Sequence, residues 1–307
     1  MAFVGNHKLQ SFLPHQWKLL KNDLSWLLFL MPTLITIFVA TYYPLIKTFV
    51  LSFYMSRNGN LENYLGFLNY KTILTDPHFW NALYNTVYIM IFVLVITIPG
   101  SFILASVINS MVRFKNFFKS LYFFPNVTSV VAVSLVFKFM FYPSAAGTIN
   151  YLLGRFGLGP YGWLNDPAMS KIVIIVMAIW HDIGYNTIIW IAGLQSISQE
   201  LYEAATVDGA NAFQKWRYVT IPLSRPIFVF MLIMGTMGNL RRFSDVYTLG
   251  TATGSPLRSI QTIVAYLFDK GMLVGQYGIG AAATVVVFFL IMIVTAANLL
   301  INSKSNV

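Results

Sequence analysis

Six long apolar stretches dominate the sequence, and each is about as long as a helix that crosses a lipid bilayer. A spanning helix requires roughly 20 consecutive, mostly apolar residues. Lipid offers the backbone no hydrogen-bond partners, so a lipid-facing segment must satisfy its own N–H and C=O groups as a helix. The sequence therefore predicts an all-α membrane protein with six transmembrane helices, at residues 24–52, 83–110, 118–141, 171–195, 226–247 and 279–302.

The scarcity of charged residues supports this prediction. Only 10% of the residues are charged and 57% are hydrophobic, whereas soluble domains carry about 25% charged residues. The net charge of +10 does not indicate a nucleic-acid partner, because the Lys and Arg residues are thinly spread and form no nucleic-acid-binding motif. Basic residues that flank the spans of a membrane protein on its cytoplasmic side account for the positive net charge. The absence of cysteine excludes disulfides, thiolate nucleophiles and cysteine-based metal sites.

The first stretch begins near Leu24 and is expected to remain in the protein. It is longer than the apolar region of a cleaved signal peptide, and no small-residue cleavage site follows it. We therefore expect an N-terminal tail over residues 1–23, a membrane domain over 24–302 and a C-terminal tail over 303–307.

The orientation of these spans is predicted from local clusters of basic residues, because the totals on the two sides are about equal. One cluster precedes the first stretch and another fills the second connection; they comprise Lys8, Lys18, Lys21, Arg113, Lys115 and Lys119. The positive-inside rule makes this side cytoplasmic. With an even number of spans, both termini and residues 196–225 would share that side. The longer loops, 53–82, 142–170 and 248–278, would face outward.

The polar segment between the fourth and fifth stretches predicts two short helices. Ser196 and Gln199 are typical of a capping box that opens the first helix. Gly209 is suited to end it, because glycine adopts the left-handed conformation of a helix C-terminus. Asn211 and Gln214 can cap the second helix. From pattern alone, the segment is either a knob that inserts into a groove of another protein or an amphipathic hairpin at the lipid interface.

The same segment resembles the EAA loop of permease subunits of ATP-binding-cassette (ABC) importers. The family pattern is Glu-Ala-Ala, three residues, Gly, nine residues, an aliphatic, one residue, then Leu-Pro. Ile221 stands in place of the leucine, and the matching residues are Glu203, Ala204, Ala205, Gly209, Val219 and Pro222. We call residues 196–225 the EAA loop.

The resemblance extends along most of the chain. Pro32–Phe53 and Phe123–Gly157 resemble the sugar-importer branch, specifically the larger permease subunit of the maltose type. The turn that is usually Gly-Gly-Pro in the family is Gly254-Ser255-Pro256 here. This likeness implies the type I ABC importer permease fold, in a bacterial cytoplasmic (inner) membrane protein with both termini cytoplasmic.

The resemblance also implies the partners. The EAA loop would be a coupling helix that docks on a separate ATPase through Glu203, Ala204, Ala205, Asp208, Gly209 and Pro222. The sequence has no phosphate-binding Gly-x-x-x-x-Gly-Lys-Ser/Thr motif, so ATP and Mg²⁺ would be held by the partner, and we expect no cofactor in this chain. The complex would contain a second, homologous permease subunit, two ABC ATPase subunits and an extracellular solute-binding protein.

Polar residues inside two of the predicted spans are candidates for substrate binding, because ionisable residues within a membrane are usually functional. His181, Asp182 and Tyr185 lie in the fourth stretch, and Asn239 and Arg242 in the fifth. In the resemblance, Tyr185 and Asn239 match residue types at the sugar site of the maltose-type permease. His181, Asp182 and Arg242 occupy positions that line the same site and that hold uncharged residues in the maltose-type permease. An oligosaccharide is therefore expected, with a charged saccharide as an alternative.

Structural roles for these charges are open alternatives. Asp182 could form a buried ion pair with an arginine of another span. Asp245 lies three residues after Arg242 and could neutralise it. Arg241, Arg242 and Lys138 could extend to the outer membrane interface.

Other functions are also open. One is an ABC permease for a different polar solute, such as glycerol phosphate. Another is a proton-coupled secondary transporter that uses His181 and Asp182 as a relay. A membrane-embedded enzyme is disfavoured, because the sequence places no Ser/His/Asp set, no His-x-x-x-His and no carboxylate pair together.

Overall fold

The computed structural model describes residues 28–57, 59–111 and 113–303. The predicted tail 1–23, the start of the first span at 24–27 and residues 304–307 lie outside the described residues. The elements, in chain order, are α1 (Leu28–Leu51), β1 (Tyr54–Arg57), β2 (Asn60–Tyr64), α2 (Leu68–Thr75), α3 (Pro77–Ser110), α4 (Lys115–Val127), α5 (Val130–Met140), α6 (Thr148–Gly154), α7 (Pro167–Gln195), α8 (Gln199–Val207), α9 (Ala212–Leu223), α10 (Arg225–Leu240), α11 (Ser244–Gly250), α12 (Ile263–Phe268) and α13 (Tyr277–Ser303).

Among the described residues, four single helices are long and apolar enough to cross a membrane: α1, α3, α7 and α13. Two further pairs pass the same test as bent units. Helices α4 and α5 meet at 91°, and α9 and α10 meet at 57°. Six spans result when each bent pair counts as one. The predicted helical membrane fold is therefore confirmed.

The third predicted span is broken, so a single helix over 118–141 was wrong. Helix α4 ends at Val127, and the next two residues leave the helical conformation: Thr128 has extended backbone with a ψ of 143°, and Ser129 has a ψ of 125°. The Thr128 hydroxyl donates to the carbonyl oxygen of Phe124 at 3.2 Å. Hydroxyl side chains that bond to the backbone in this way compete with helical hydrogen bonds, which favours a break here.

The fifth predicted span is also shorter than the 226–247 that the sequence predicted, because α10 ends at Leu240. The amide N–H groups of Arg241 and Arg242 bond three residues back, to Gly238 and Asn239, at 3.2 Å each. Such tighter bonds are typical of a helix terminus. The chain then restarts as α11, so Arg242 lies in an irregular segment between two helices and not within a span.

A two-stranded antiparallel hairpin, β1 and β2, interrupts the otherwise helical chain in the described part of the 53–82 loop. The sequence did not predict it. Asn69 holds it to the adjoining helices, because its amide donates to the carbonyl oxygens of Ser52 and Tyr54 at 2.9 Å each. The hairpin is a local addition and leaves the fold class unchanged.

Lys138 lies in the last turn of α5. Its Nζ donates to the carbonyl oxygen of Thr248 on α11 at 3.1 Å. The Lys138 side chain therefore links α5 to α11.

Two apolar core clusters lie one after the other along α3 and α7. On α7 the buried members of the first cluster end at Ala178, and those of the second begin at Trp190. On α3 the first cluster contains Val93 and the second contains Ile98. Between these clusters α7 carries the polar residues His181, Asp182, Tyr185 and Asn186, whereas α3 carries only Thr97, and the candidate site lies there.

Gly184 fixes how closely α7 approaches α4. A Cβ atom added at this glycine would lie 1.6 Å from the carbonyl oxygen of Tyr122. No real Cβ fits there, so only glycine permits this contact between the two backbones. The approach brings the bend of the third span beside the middle of α7.

Helix α1 lies at the edge of the molecule. None of the residues in its apolar window is buried by the described chain, and a π-helical turn, Phe38–Tyr42, lies near its middle. Its large side chains are exposed along its length, including Phe29 at 78% and Val39 at 59%.

Candidate functional site

A cavity of about 310 Å³ opens in the middle of the helix bundle. We call it the central cavity. Residues from α3, α4, α7 and α10 line it, together with Arg242 in the segment that follows α10. Its polar lining residues are Thr97, Asn126, Asp182, Tyr185, Asn186, Asn239 and Arg242.

The two sets of polar residues predicted from sequence lie at the same height in the bundle. His181 is fourteen residues before Gln195, where α7 ends, and Asn239 is fourteen residues after Arg225, where α10 begins. At 1.5 Å per residue, each lies about 21 Å from the EAA loop. His181 is also the central residue of the 29-residue helix α7. On α7 this position is halfway along the helix, where transporters usually bind their solute, whereas Asn239 lies one residue before the end of α10.

Arg242 is the centre of a charged cluster on the wall of the central cavity. Its Nη2 donates to Asp182 Oδ2 at 3.0 Å, its Nη1 donates to Asp245, and its Nε donates to Asn239 Oδ1 at 3.2 Å. The Arg242 side chain is only 12% exposed. Both ion pairs that the sequence offered as structural alternatives are therefore present, and Arg242 does not extend to an interface.

His181 lies behind this cluster and not on the cavity wall. Its Nδ1 is 2.8 Å from Asp182 Oδ1, and its side chain is 16% exposed. Because an ionised carboxylate only accepts hydrogen bonds, this nitrogen carries the proton that is shared with Asp182. His181 can thus act on the cavity only through Asp182.

The other predicted residues differ in how freely they face the cavity. Tyr185 is 46% exposed. Asn239 is only 6% exposed, and its amide donates to the carbonyl oxygen of Gly235 at 2.9 Å while its oxygen accepts from Arg242. Tyr185 is available to a solute, whereas Asn239 is largely committed to holding α10 and Arg242.

Sequence reasoning missed three polar lining residues. Thr97 is 1% exposed, and in the described part of the chain its Oγ1 has no hydrogen-bond partner. Asn126 lies beside Pro125, one residue before the end of α4, and Asn186 follows Tyr185. Asn126 and Asn186 could have been predicted as lining residues, because each places a side-chain amide inside an apolar stretch. Thr97 gave no such signal, because threonines in spans commonly bond to their own helix, as Thr187 does.

The EAA loop contains the two predicted helices, α8 and α9, but the first cap was assigned to the wrong serine. Ser198 caps α8, because its hydroxyl accepts from the N–H of Glu200 at 3.3 Å. Ser196 instead ends α7 and donates to the carbonyl oxygen of Gly193 at 2.7 Å. The prediction failed because α7 runs to Gln195, which leaves Ser196 on the preceding helix.

The turn between α8 and α9 is as predicted. Gly209 has a φ of +81° directly after Asp208, which ends α8. Asn211 and Gln214 form a reciprocal capping box, with bonds of 2.8 and 2.9 Å. Both helix ends of the turn are therefore satisfied by local contacts.

The tip of the EAA loop is not covered by other described parts of the chain. Glu203, Ala204, Asp208 and Gly209 are exposed, and Ala205 is half-buried. Large apolar side chains are exposed beside them, with Val207 at 88%, Phe213 at 69% and Tyr218 at 72%. Apolar surface of this extent is typical of a contact site for another protein or a membrane.

The base of the EAA loop is fastened to the spans by aromatic contacts. The Trp216 ring stacks on Phe102 of α3, with ring centroids 5.8 Å apart, and Phe102 meets Trp190 of α7 at 4.8 Å. Tyr202 and Thr220 share a hydroxyl–hydroxyl bond of 3.0 Å across the loop. Pro222 is exposed in the last turn of α9. The loop thus contacts α3 directly and α7 through Phe102.

A second polar network joins the start of α3 to the chain around α12. Asp76 Oδ1 accepts from the N–H of His78 at 2.9 Å, and its Oδ2 accepts from Tyr266 at 2.9 Å and Lys270 at 3.0 Å. Burial acts to raise the pKa of Asp76, but these three bonds outweigh it and hold the pKa below its usual value of 3.8. Burial and the bond to Asp76 raise the pKa of Tyr266. This network secures the loops at the end of the bundle away from the EAA loop.

The described residues offer no metal centre. Among them, no group of three or more His, Asp or Glu side chains is placed to hold a metal ion. The chemistry of the central cavity is that of hydrogen bonding by hydroxyl, amide and paired ionic groups.

Known proteins with sequences similar to this chain include two sugar transport permeases. The chain is 33% identical over 273 residues to the arabinooligosaccharides transport system permease protein AraP of Bacillus subtilis (strain 168), covering 89% of this chain and 86% of that protein. It is 36% identical over 250 residues to the lactose transport system permease protein LacF of Rhizobium radiobacter, covering 80% and 83%.

A solved structure shares the fold. A chain of a bacterial ABC transporter involved in the import of the acidic polysaccharide alginate matches with a TM-score of 0.85 at 24% identity, over 94% of this chain and 99% of that one. The expected importer permease fold is thereby confirmed. Residues 97–306 match the family model for the inner membrane component of binding-protein-dependent transport systems. This multi-pass membrane chain therefore belongs to the family of inner membrane components of binding-protein-dependent transport systems.

Proposed function

We propose that this chain is the transmembrane permease subunit of an ATP-driven importer that carries a sugar, in particular an oligosaccharide. The observation that carries the proposal is the pairing of a polar cavity at the middle of α7 with an exposed EAA loop fastened to α3, which lines the same cavity. Similar permeases are named for arabinooligosaccharides and lactose. The proposal takes the same class of solute for this chain.

The chemistry of the central cavity supports a sugar. Saccharides present many hydroxyl groups and apolar ring faces, and binding sites for such solutes combine a few placed polar groups with aromatic surface. The cavity offers the amides of Asn126 and Asn186 and the rings of Tyr185 and Phe230. A second permease subunit would supply the opposite wall.

The EAA loop is proposed to couple the spans to a partner ATPase. Ala204 and Ala205 would let the two surfaces approach closely, and Glu203 would make a charge-assisted bond to a basic group in the groove. Asp208 and Gly209 shape the turn that presents them, and Pro222 closes the last turn of α9. ATP and Mg²⁺ would be bound by that partner.

The proposed assembly contains a second homologous permease subunit, two ATPase subunits and an extracellular solute-binding protein. We place it in the bacterial cytoplasmic membrane, with the EAA loop and both termini on the cytoplasmic side. The network around Asp76 would then face outward, where the solute-binding protein docks.

The test is ATP hydrolysis by the purified, reconstituted assembly in the presence of its binding protein and a panel of saccharides. We expect at least one saccharide to stimulate hydrolysis and to accumulate inside vesicles. Stimulation only by amino acids or metal ions would overturn the sugar assignment. Uptake driven by a proton gradient without ATP would instead support a secondary transporter.

A further inference from the structure

The guanidinium of Arg242 is committed to protein groups and is not presented to a solute. All three of its nitrogens donate to side chains of the chain itself, namely Asn239, Asp182 and Asp245. Its low exposure, 12% of the side chain, leaves little of it for the cavity. An arginine that recognises an anionic ligand usually offers both ends of its fork to that ligand, and this one does not.

The charged cluster beside the cavity does not sum to a positive value, whether it is counted with only its lining members, Arg242 and Asp182, or with Asp245 and His181 behind them. Arg242 contributes one positive charge, and Asp182 and Asp245 contribute two negative charges. His181 brings the total to zero when protonated and leaves it at minus one when neutral. The other polar lining groups, such as Thr97 and Asn186, are uncharged. No protonation state of His181 therefore gives the wall an excess positive charge.

Asp182 is the charged group of this cluster that is most open to the cavity. Its side chain is 29% exposed, compared with 3% for Asp245. A carboxylate on the solute would thus meet a carboxylate of the protein, and like charges at short distance disfavour binding.

We propose that Asp182 is a specificity-determining residue, which makes the central cavity accept uncharged saccharides and reject carboxylated or phosphorylated solutes. This inference rests on the proposed function as a sugar permease. The proposal selects a neutral saccharide over a charged one, a choice that the sequence left open. Asp182 excludes anions directly, and it also holds the Arg242 guanidinium away from them.

The experiment measures solute binding to the purified permease–ATPase assembly without its binding protein, so that the selectivity of that protein does not enter. Isothermal titration calorimetry would use three neutral probes: lactose, arabinotriose and maltotriose. Each is paired with the same sugar after a primary hydroxyl has been oxidised to a carboxylate, and glycerol 3-phosphate is an additional anion. We expect at least one neutral probe to bind, and its carboxylated form to bind at least tenfold more weakly.

The variant Asp182→Asn separates charge from shape. Asparagine keeps an oxygen that can accept from Arg242 but removes the negative charge. We expect the discrimination between a neutral probe and its carboxylated form to fall at least fivefold. Glu62→Gln is the matched control, because it makes the same carboxylate-to-amide change on an exposed residue of β2. That variant should discriminate like the unchanged protein.

Each outcome is decisive. Equal or tighter binding of a carboxylated probe, or binding of glycerol 3-phosphate alone, overturns the charge selection. Unchanged discrimination in Asp182→Asn overturns the role of Asp182. If this variant does not assemble, the comparison within the unchanged protein still tests the selection. Binding of no saccharide of either kind overturns the sugar site itself, which is a failure of the proposed function.

Discussion

The indole Nε1 of Trp216 lies 3.3 Å from Ser106 Oγ, so a side chain of the EAA loop is hydrogen-bonded directly to helix α3. Ser106 is nine residues along α3 from Thr97, which lines the central cavity. At 1.5 Å per residue the two positions are about 14 Å apart on one continuous helix. We therefore expect a displacement of the EAA loop to reach the cavity wall along α3, which contains Pro99 between these two positions.

Replacing Trp216 should weaken this connection. In Trp216→Ala both the bond to Ser106 and the stacking on Phe102 are lost, so we expect at least a threefold fall in sugar transported per ATP hydrolysed. Trp216→Phe keeps the stacking and should be intermediate. Uptake and hydrolysis would be measured together in proteoliposomes. Trp80→Ala, at the other end of α3, is the control, and an unchanged ratio in Trp216→Ala would contradict the linkage.

Proline at Gly209 should uncouple the EAA loop without disturbing the spans. Gly209 has a φ of +81°, whereas proline fixes φ near −65°, so the turn between α8 and α9 cannot form. We expect the permease to assemble but sugar-stimulated ATP hydrolysis to fall at least tenfold.

Gly59 provides a matched control for this substitution. Its φ is +79°, and like Gly209 it has no atom within 4 Å of an added Cβ. Gly59→Pro perturbs only the turn of the β hairpin, so coupling should persist. Sugar uptake by Gly209→Pro at the rate of the unchanged protein would exclude the coupling role.

Filling the central cavity from Gly238 should block the solute. This glycine lines the cavity, and a Cβ added to it meets no atom within 4 Å. Gly238→Leu therefore projects into open space, and we expect saccharide binding to weaken at least tenfold while the thermal unfolding midpoint changes little. Gly154→Leu is the control, because Gly154 has similar free space but lies in α6, away from the cavity. Unchanged affinity in Gly238→Leu would place the solute elsewhere.

The network around Asp76 should make stability depend on pH at the acidic end. The folded-state pKa of Asp76 is below its usual value of 3.8. A carboxyl with a lowered folded-state pKa stabilises the fold fully above the unfolded-state pKa, and this contribution is lost as the pH falls through the folded-state value. Asp76→Asn should therefore lower the unfolding midpoint at neutral pH, and the difference from the unchanged protein should shrink below about pH 4. A difference that stays constant down to pH 3 would contradict this.

The sequence predicted the spans well because the length and composition of an apolar stretch are enough to define a membrane helix. It could not predict the breaks. The extended backbone at Thr128 and the end of α10 at Leu240 depend on which groups replace the missing helical bonds, and those groups come from the folded chain. The pairing of Arg242 with Asp245 was foreseen from their spacing of three residues.

The parts of the site that sequence could not reveal depend on contacts between spans. Gly184 gave no sign that it admits the backbone of Tyr122, and this contact brings Asn126 to the cavity. Thr97 resembles any other threonine in a helix until its hydroxyl is found without a partner. In each case the decisive information is the identity of the neighbouring helix, which a single sequence does not contain.

The exposed position of α1 has a practical consequence for handling the protein. Because none of the residues in its apolar window is buried by the described chain, the surrounding amphiphile supplies much of the packing of this helix. Extraction into a detergent with a short alkyl tail would therefore loosen α1 before the helices that carry the core clusters. Nanodiscs or long-tailed detergents are the preparations in which α1 should keep its place.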